Sequence, residues 1–203
     1  MVSQMIALKQ LSELKRLGKY QRLAAEGWSY KWQTLIATLM SARTLDRTTI
    51  PVAKKLFTKY STIEKLSKAR VTSIENIIHP VNFYRNKSKN IINLAKIVFK
   101  DYNGKVPMIM DKLVELPGVG RKTANVFLAE YGGDNVGVDT HVAFCSLHLG
   151  WTNHTNPDKV EKDLEKLFPR SKWHEINEVL VHFGQTYPSR KKKLEILKGI
   201  KIF

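Results

Sequence analysis

At 203 residues and 43% hydrophobic, the chain is long enough for one large or two small domains with a buried core. Its 34 Lys and Arg against 18 Asp and Glu leave a net charge of +16, which favours a polyanionic partner, nucleic acid first and an anionic membrane surface second. A single cysteine, Cys145, excludes an intrachain disulfide and a four-thiolate cluster, and no apolar run reaches the ~18–20 residues of a membrane span.

Helical periodicity runs through the whole sequence. Ile6, Leu8, Leu11, Leu14 and Leu17 predict a first helix that stops near Gly18. This segment interleaves charge and lacks the apolar block and cleavage site of a secretory leader, so a cytoplasmic location is expected. Tyr30–Ser41 is strongly apolar and predicts a central helix. Asp46 is expected to cap a third helix through Tyr60, with Pro51 near its start, and Ser61 and Thr72 to cap two short ones. Asn86–Lys100, with Ile91, Ile92, Leu94, Ala95, Ile97 and Val98, predicts one long helix. Met110–Glu115 and Arg121–Glu130 follow, then a Gly-Gly and Asp-Asn loop over 132–137. Asp139–Leu149, Pro157–Phe168, Lys172–Phe183 and Ser189–Lys198 complete an all-α chain, since no segment alternates with period two. Cys145 lies in an apolar helical pattern and is expected to be buried. Trp28, Trp32, Trp151 and Trp173 read as core anchors, and Arg190–Lys193 as either a solvated face or a backbone contact.

The chemistry concentrates in LPGVGRKTANVFL, Leu116–Leu128. Pro117, Gly118 and Gly120 predict a tight turn between two helical patterns. The turn opens onto a helix N-terminus, where N–H groups and the positive end of the dipole favour a phosphate. A hairpin of this kind grips nucleic-acid backbone without reading bases; the alternative is an ordinary helix connection in a core. Lys122 then reads as a phosphate-binding lysine or a nucleophile. Asp139, in Gly137-Val138-Asp139-Thr140-His141, reads as a helix N-cap, a catalytic carboxylate, or both. His141 reads as structural, and His148, His154, His174 and His182 show no zinc-ligand spacing.

The pair LPGVGRKTA and VDTH resembles the endonuclease III family of DNA glycosylases, within the helix-hairpin-helix glycosylase superfamily. Leu35–Ala42, Phe83–Ile91 and Asn103–Pro107 extend the resemblance over roughly residues 30–187. It implies a two-domain fold with DNA in the groove between: a six-helix barrel at 22–134 carrying the hairpin, and a discontinuous domain from 1–21 and 135–203. By resemblance Lys122 is the nucleophile and Asp139 the catalytic aspartate. Gly118, Val119, Gly120, Arg121, Lys87 and Lys89 are DNA-binding, and Arg43 and Phe83 fill the gap left by a flipped base. The family usually has Gln and an aliphatic residue at those last two positions. It also usually carries four cluster cysteines where this chain has Phe183–Lys193, so no cofactor and no metal are expected, and the C-terminal region must be held by packing through Ile196, Leu197, Ile200, Ile202 and Phe203.

The activity implied is base excision with AP lyase cleavage, on oxidised pyrimidines in duplex DNA. The expected partner is double-stranded DNA with a damaged base or abasic site, bound by a monomer associated with the nucleoid and not with membrane. A mismatch thymine or uracil glycosylase and an 8-oxoguanine glycosylase are alternatives on the same fold, and a non-catalytic DNA-binding module is the alternative of another class. An adenine-excising relative is disfavoured, because its early-helix glutamate falls at Ala37.

Overall fold

Every side chain from Trp32 to Met40 is buried, so this stretch has no polar face to give to solvent and forms the centre of a helix. In the computed structural model, which describes residues 2–201, twelve α-helices and one 3₁₀ turn account for the regular structure, and no strand occurs among the described residues. The chain divides into two compact units, Arg22–Phe127 and Met1–Gln21 with Leu128–Phe203, and the division falls inside the eighth helix.

The Arg22–Phe127 unit contains α2 (Lys31–Ser41), α3 (Asp46–Lys59), α4 (Ile63–Ser67), α5 (Val71–Ile78), α6 (Tyr84–Asp101), α7 (Met110–Val114) and most of α8 (Arg121–Glu130). α2 packs against α3 and α6, while α4 and α5 cover other turns of α6. Trp28 and Trp32 both set ring edges against Phe57, at 5.0 and 5.2 Å between centroids. The helix boundaries shift where capping chemistry competes. Thr62, rather than Ser61, caps α4, accepting from the Lys65 N–H at 3.1 Å. Thr72 lies inside α5, which begins after Arg70 in extended backbone. Asp46 is the first residue of α3 and Leu45 holds the cap position, from where the carboxylate still complements the positive helix end. α6 starts at Tyr84, two residues before its expected start, because Phe83 turns the chain with φ +59°.

The second unit joins α1 (Gln4–Leu17) to α9 (Thr140–Leu149), α10 (Pro157–Leu167), the 3₁₀ turn Arg170–Lys172, α11 (Trp173–Thr186) and α12 (Arg190–Ile200). α1 lays Ala7, Leu11 and Leu14 onto α11, so chain ends distant in sequence share one core. Trp151 is fully buried, packs edge-on to Phe168 and donates its indole N–H to Gln10 Oε1 at 2.6 Å. α12 packs on α9 through buried Leu197 and Ile200 with Ile196 beside them; Ile202 and Phe203 lie outside the described residues. Cys145 is completely buried on α9, and burial pushes its thiol up to about 12, which keeps it protonated and unreactive. Arg190 and Lys193 of the basic run sit over the Phe144 ring, at 5.6 and 5.3 Å from its centroid. No described helix is long and apolar enough to cross a membrane.

Candidate functional site

The hairpin is built from the inside outward. Leu113, Leu116 and Val119 are buried, and they anchor the turn between α7 and α8 to the core. Two tight turns shape it: Leu116 N–H donates to Leu113 O at 3.1 Å, and Val119 N–H to Leu116 O at 3.0 Å. Its two glycines answer to different demands. Gly118 has φ +78°, and a Cβ there would lie 2.8 Å from the Asn90 amide nitrogen and 2.9 Å from a Leu39 methyl. Gly120 has no such backbone requirement, and a Cβ there would meet nothing within 4 Å. The fold therefore demands glycine at Gly118 but not at Gly120, where the backbone is left open to the outside of the chain. Gly120 O accepts the Ala124 N–H at 3.0 Å and so starts α8, with Arg121 exposed and Lys122 half-buried in the first turn.

Asp139 belongs to the other unit. Val136 and Val138 are buried, and the Asn177 amide donates to Gly137 O at 2.8 Å, which fixes the chain just before the aspartate. Asp139 takes extended backbone and caps α9: its Oδ1 accepts both the His141 N–H at 2.8 Å and the Val142 N–H at 2.9 Å. Both cap bonds fall on one oxygen, so the cap does not use Oδ2. A Cβ on Gly184 would lie 2.0 Å from His141 Nδ1, so α11 must carry glycine there to seat the histidine ring. The sequence reading did not identify that requirement, because Gly184 lies mid-helix with no local turn signal.

Arg43 and Phe83 meet. The guanidinium lies over the Phe83 ring at 4.7 Å from its centroid, and Phe83 is 54% exposed rather than part of the core. Both residues have left-handed backbone, φ +58° and +59°, a costly conformation for non-glycine residues. Asn82 joins the two loops by donating its amide to Arg43 O at 2.5 Å and its N–H to Thr44 Oγ1 at 3.1 Å.

Lys87 departs from the surface role expected of it. It is 7% exposed, and its ammonium donates inward to Met40 O at 2.7 Å, Ala42 O at 2.6 Å and, more weakly, Thr44 Oγ1 at 3.4 Å. Periodicity places a lysine at this position of α6 but cannot report partners more than 40 residues away. Lys89, two residues on, is exposed as expected.

A family described as HhH-GPD superfamily base excision DNA repair protein matches residues 36–170. The endonuclease III of Thermotoga maritima is 39% identical over 155 residues, covering 76% of this chain and 73% of that protein. That of Synechocystis is 38% identical over 164 residues, covering 80% of this chain and 75% of that protein. Among solved structures, a trapped endonuclease III–DNA covalent intermediate superposes with a TM-score of 0.84 at 31% identity, covering 94% of this chain and 90% of its own. A thermostable thymine-DNA glycosylase shares the fold, with a TM-score of 0.77 at 20% identity over 93% of this chain and 89% of its own.

Proposed function

This chain belongs to the HhH-GPD superfamily of base excision DNA repair proteins, and on that premise we propose that it is a DNA glycosylase with AP lyase activity, removing oxidised pyrimidines from duplex DNA. The observation that carries this reading is the start of α8, where a turn left bare at Gly120 is followed at once by Arg121 and Lys122. Backbone N–H groups at that turn hold a phosphate, and a lysine two residues further on is carried to the same strand.

Nζ of Lys122, giving up its proton, attacks C1′ of the damaged nucleotide. The C1′–N bond breaks, and its electron pair leaves with the base, which takes up a proton. Opening of the sugar ring gives an iminium on Lys122 whose C2′ proton is acidic. Loss of that proton expels the 3′ phosphate by β-elimination, and water then releases the lysine as the amine. Asp139 stabilises the positive charge that develops at C1′, a role compatible with its cap because the cap bonds occupy Oδ1 alone. Arg43 and Phe83 fill the gap left by the extruded base. Phe83 stacks as a wedge, and the Arg43 guanidinium offers paired donors to an orphaned guanine. Lys89 and the other exposed lysines supply attraction to phosphate. The domain division at 22–134 and 1–21 with 135–203, action as a monomer and a place beside cytoplasmic DNA belong to the same reading.

The relatives' name, and the covalent DNA intermediate formed by one of them, support lyase chemistry. Lys122 separates this reading from a glycosylase that uses water alone. The test is borohydride trapping on an abasic duplex. Wild-type protein is expected to give a covalent complex, and Lys122→Ala to give none while still binding. Undiminished trapping by the variant would move the nucleophile elsewhere, and no trapping by either protein would leave a glycosylase without lyase activity or a binding module, which excision of a thymine glycol base then separates.

A further inference from the structure

Lys87 stands where a cation is doubly disfavoured: it is buried, and it lies in the first turn of α6, at the positive end of the helix dipole. Burial pulls its ammonium down to about 8. What offsets this is a set of oxygens at the far end of another helix. Met40 O belongs to the last turn of α2, Ala42 O to its C-cap, and Thr44 Oγ1 to the loop beyond. The two carbonyls carry the negative end of the α2 dipole, so the ammonium caps α2 from across the unit.

The bond ties together the two short loops that carry the exposed pair. Arg43 lies between the acceptors Ala42 and Thr44. Phe83 precedes α6 directly, and its carbonyl accepts the Lys87 N–H at 3.0 Å. Arg43 and Phe83 are both held in left-handed backbone, which a loose loop would abandon. Asn82 provides the second strap, to Arg43 O and Thr44 Oγ1.

We propose that Lys87 is a positioning residue for base extrusion: its ammonium bolts the α2–α3 loop to the start of α6 and holds Arg43 and Phe83 as a preformed wedge. This rests on the wedge reading above, and it assigns Lys87 a role other than phosphate contact. Preforming the pair removes its ordering cost from the step in which the duplex opens.

The test compares wild type, Lys87→Met, Lys87→Arg, Arg43→Ala and Phe83→Ala in single-turnover excision of thymine glycol. One duplex pairs the lesion with adenine, and the other sets it opposite an abasic analogue, where no partner base must be displaced. Lys87→Met, which keeps the stem and loses the donors, is expected to slow excision from the paired duplex about 30-fold or more, yet less than about 3-fold from the unpaired one. It should also lose the fluorescence rise of a 2-aminopurine opposite the lesion, while binding undamaged duplex within about 2-fold of wild type. Lys87→Arg should restore most of the paired-duplex rate. Equal loss on both duplexes would make Lys87 merely structural and overturn the proposal, as would no loss on either while Arg43→Ala or Phe83→Ala is impaired. If neither Arg43→Ala nor Phe83→Ala affects the paired duplex, the wedge reading fails first. If Lys87→Met does not fold, Lys87→Gln, which retains an amide donor, is read by the same outcomes.

Discussion

Under the proposed function, the single side chain of Asp139 serves two ends. As a cap it needs one oxygen, and Oδ1 takes both N–H groups of the first turn of α9. As a stabiliser of developing positive charge it needs the negative charge of the whole carboxylate. Asparagine keeps the oxygen and loses the charge. Asp139→Asn is therefore expected to melt within about 2 °C of wild type, since Asn ranks with Asp as a cap, and to excise bases about 10²-fold more slowly. Calorimetry and single-turnover excision check the two halves separately. A near-wild-type rate would leave Asp139 as a cap alone, and a large drop in melting temperature would show that the carboxylate supports the fold beyond its cap.

Under the proposed function, the hairpin divides its glycines between stability at Gly118 and grip at Gly120. Gly118→Ala puts a Cβ against Asn90 and Leu39 and an L-residue at φ +78°. It is expected to cost about 2 kcal/mol, a fall in melting temperature of roughly 5 °C or more. Gly120→Asp meets open space, so it should fold normally and weaken binding to an abasic-analogue duplex by about 10-fold or more, through a negative charge where phosphate approaches. The matched control is Gly199→Asp, which also meets nothing within 4 Å and has no special φ. Gly132→Asp is a poorer control, because Gly132 has φ +76°. A Gly120→Asp protein that folds and binds DNA as tightly as wild type would remove the hairpin from the interface.

The hairpin was legible in the sequence because its signals are local: Pro and Gly punctuate the turn, and an apolar helical pattern follows within four residues. Asp139 was legible for the same reason, since a capping residue sits next to the helix it caps. The strap made by Lys87, Asn82 and Thr44 was not, because its partners lie 38 to 47 residues apart and nothing in helical periodicity marks them. Gly184 was hidden likewise, its neighbour His141 being on another helix.

Over the whole molecule the charge excess of +16 bears on the DNA binding proposed above. If about five phosphates are neutralised on binding, the logarithm of the duplex affinity should fall against the logarithm of salt concentration with a slope of about −4.5. Fluorescence anisotropy from low to physiological salt measures it, and a slope shallower than about −1 would mean that the basic residues do not face the duplex.

The joining of α1 to helices from the far end of the chain has a further consequence, for the order of synthesis. A ribosome adding about 5–20 residues per second completes residues 22–127, a unit with its own core, well before α11 exists. Throughout that interval Ala7, Leu11 and Leu14 have no partner surface, because the helix they cover is still unmade. The first helix to emerge is thus among the last to dock, and a nascent chain halted once residues 22–127 have cleared the ribosome, but before α11 is made, should present it to chaperones and proteases while the unit behind it is already protected.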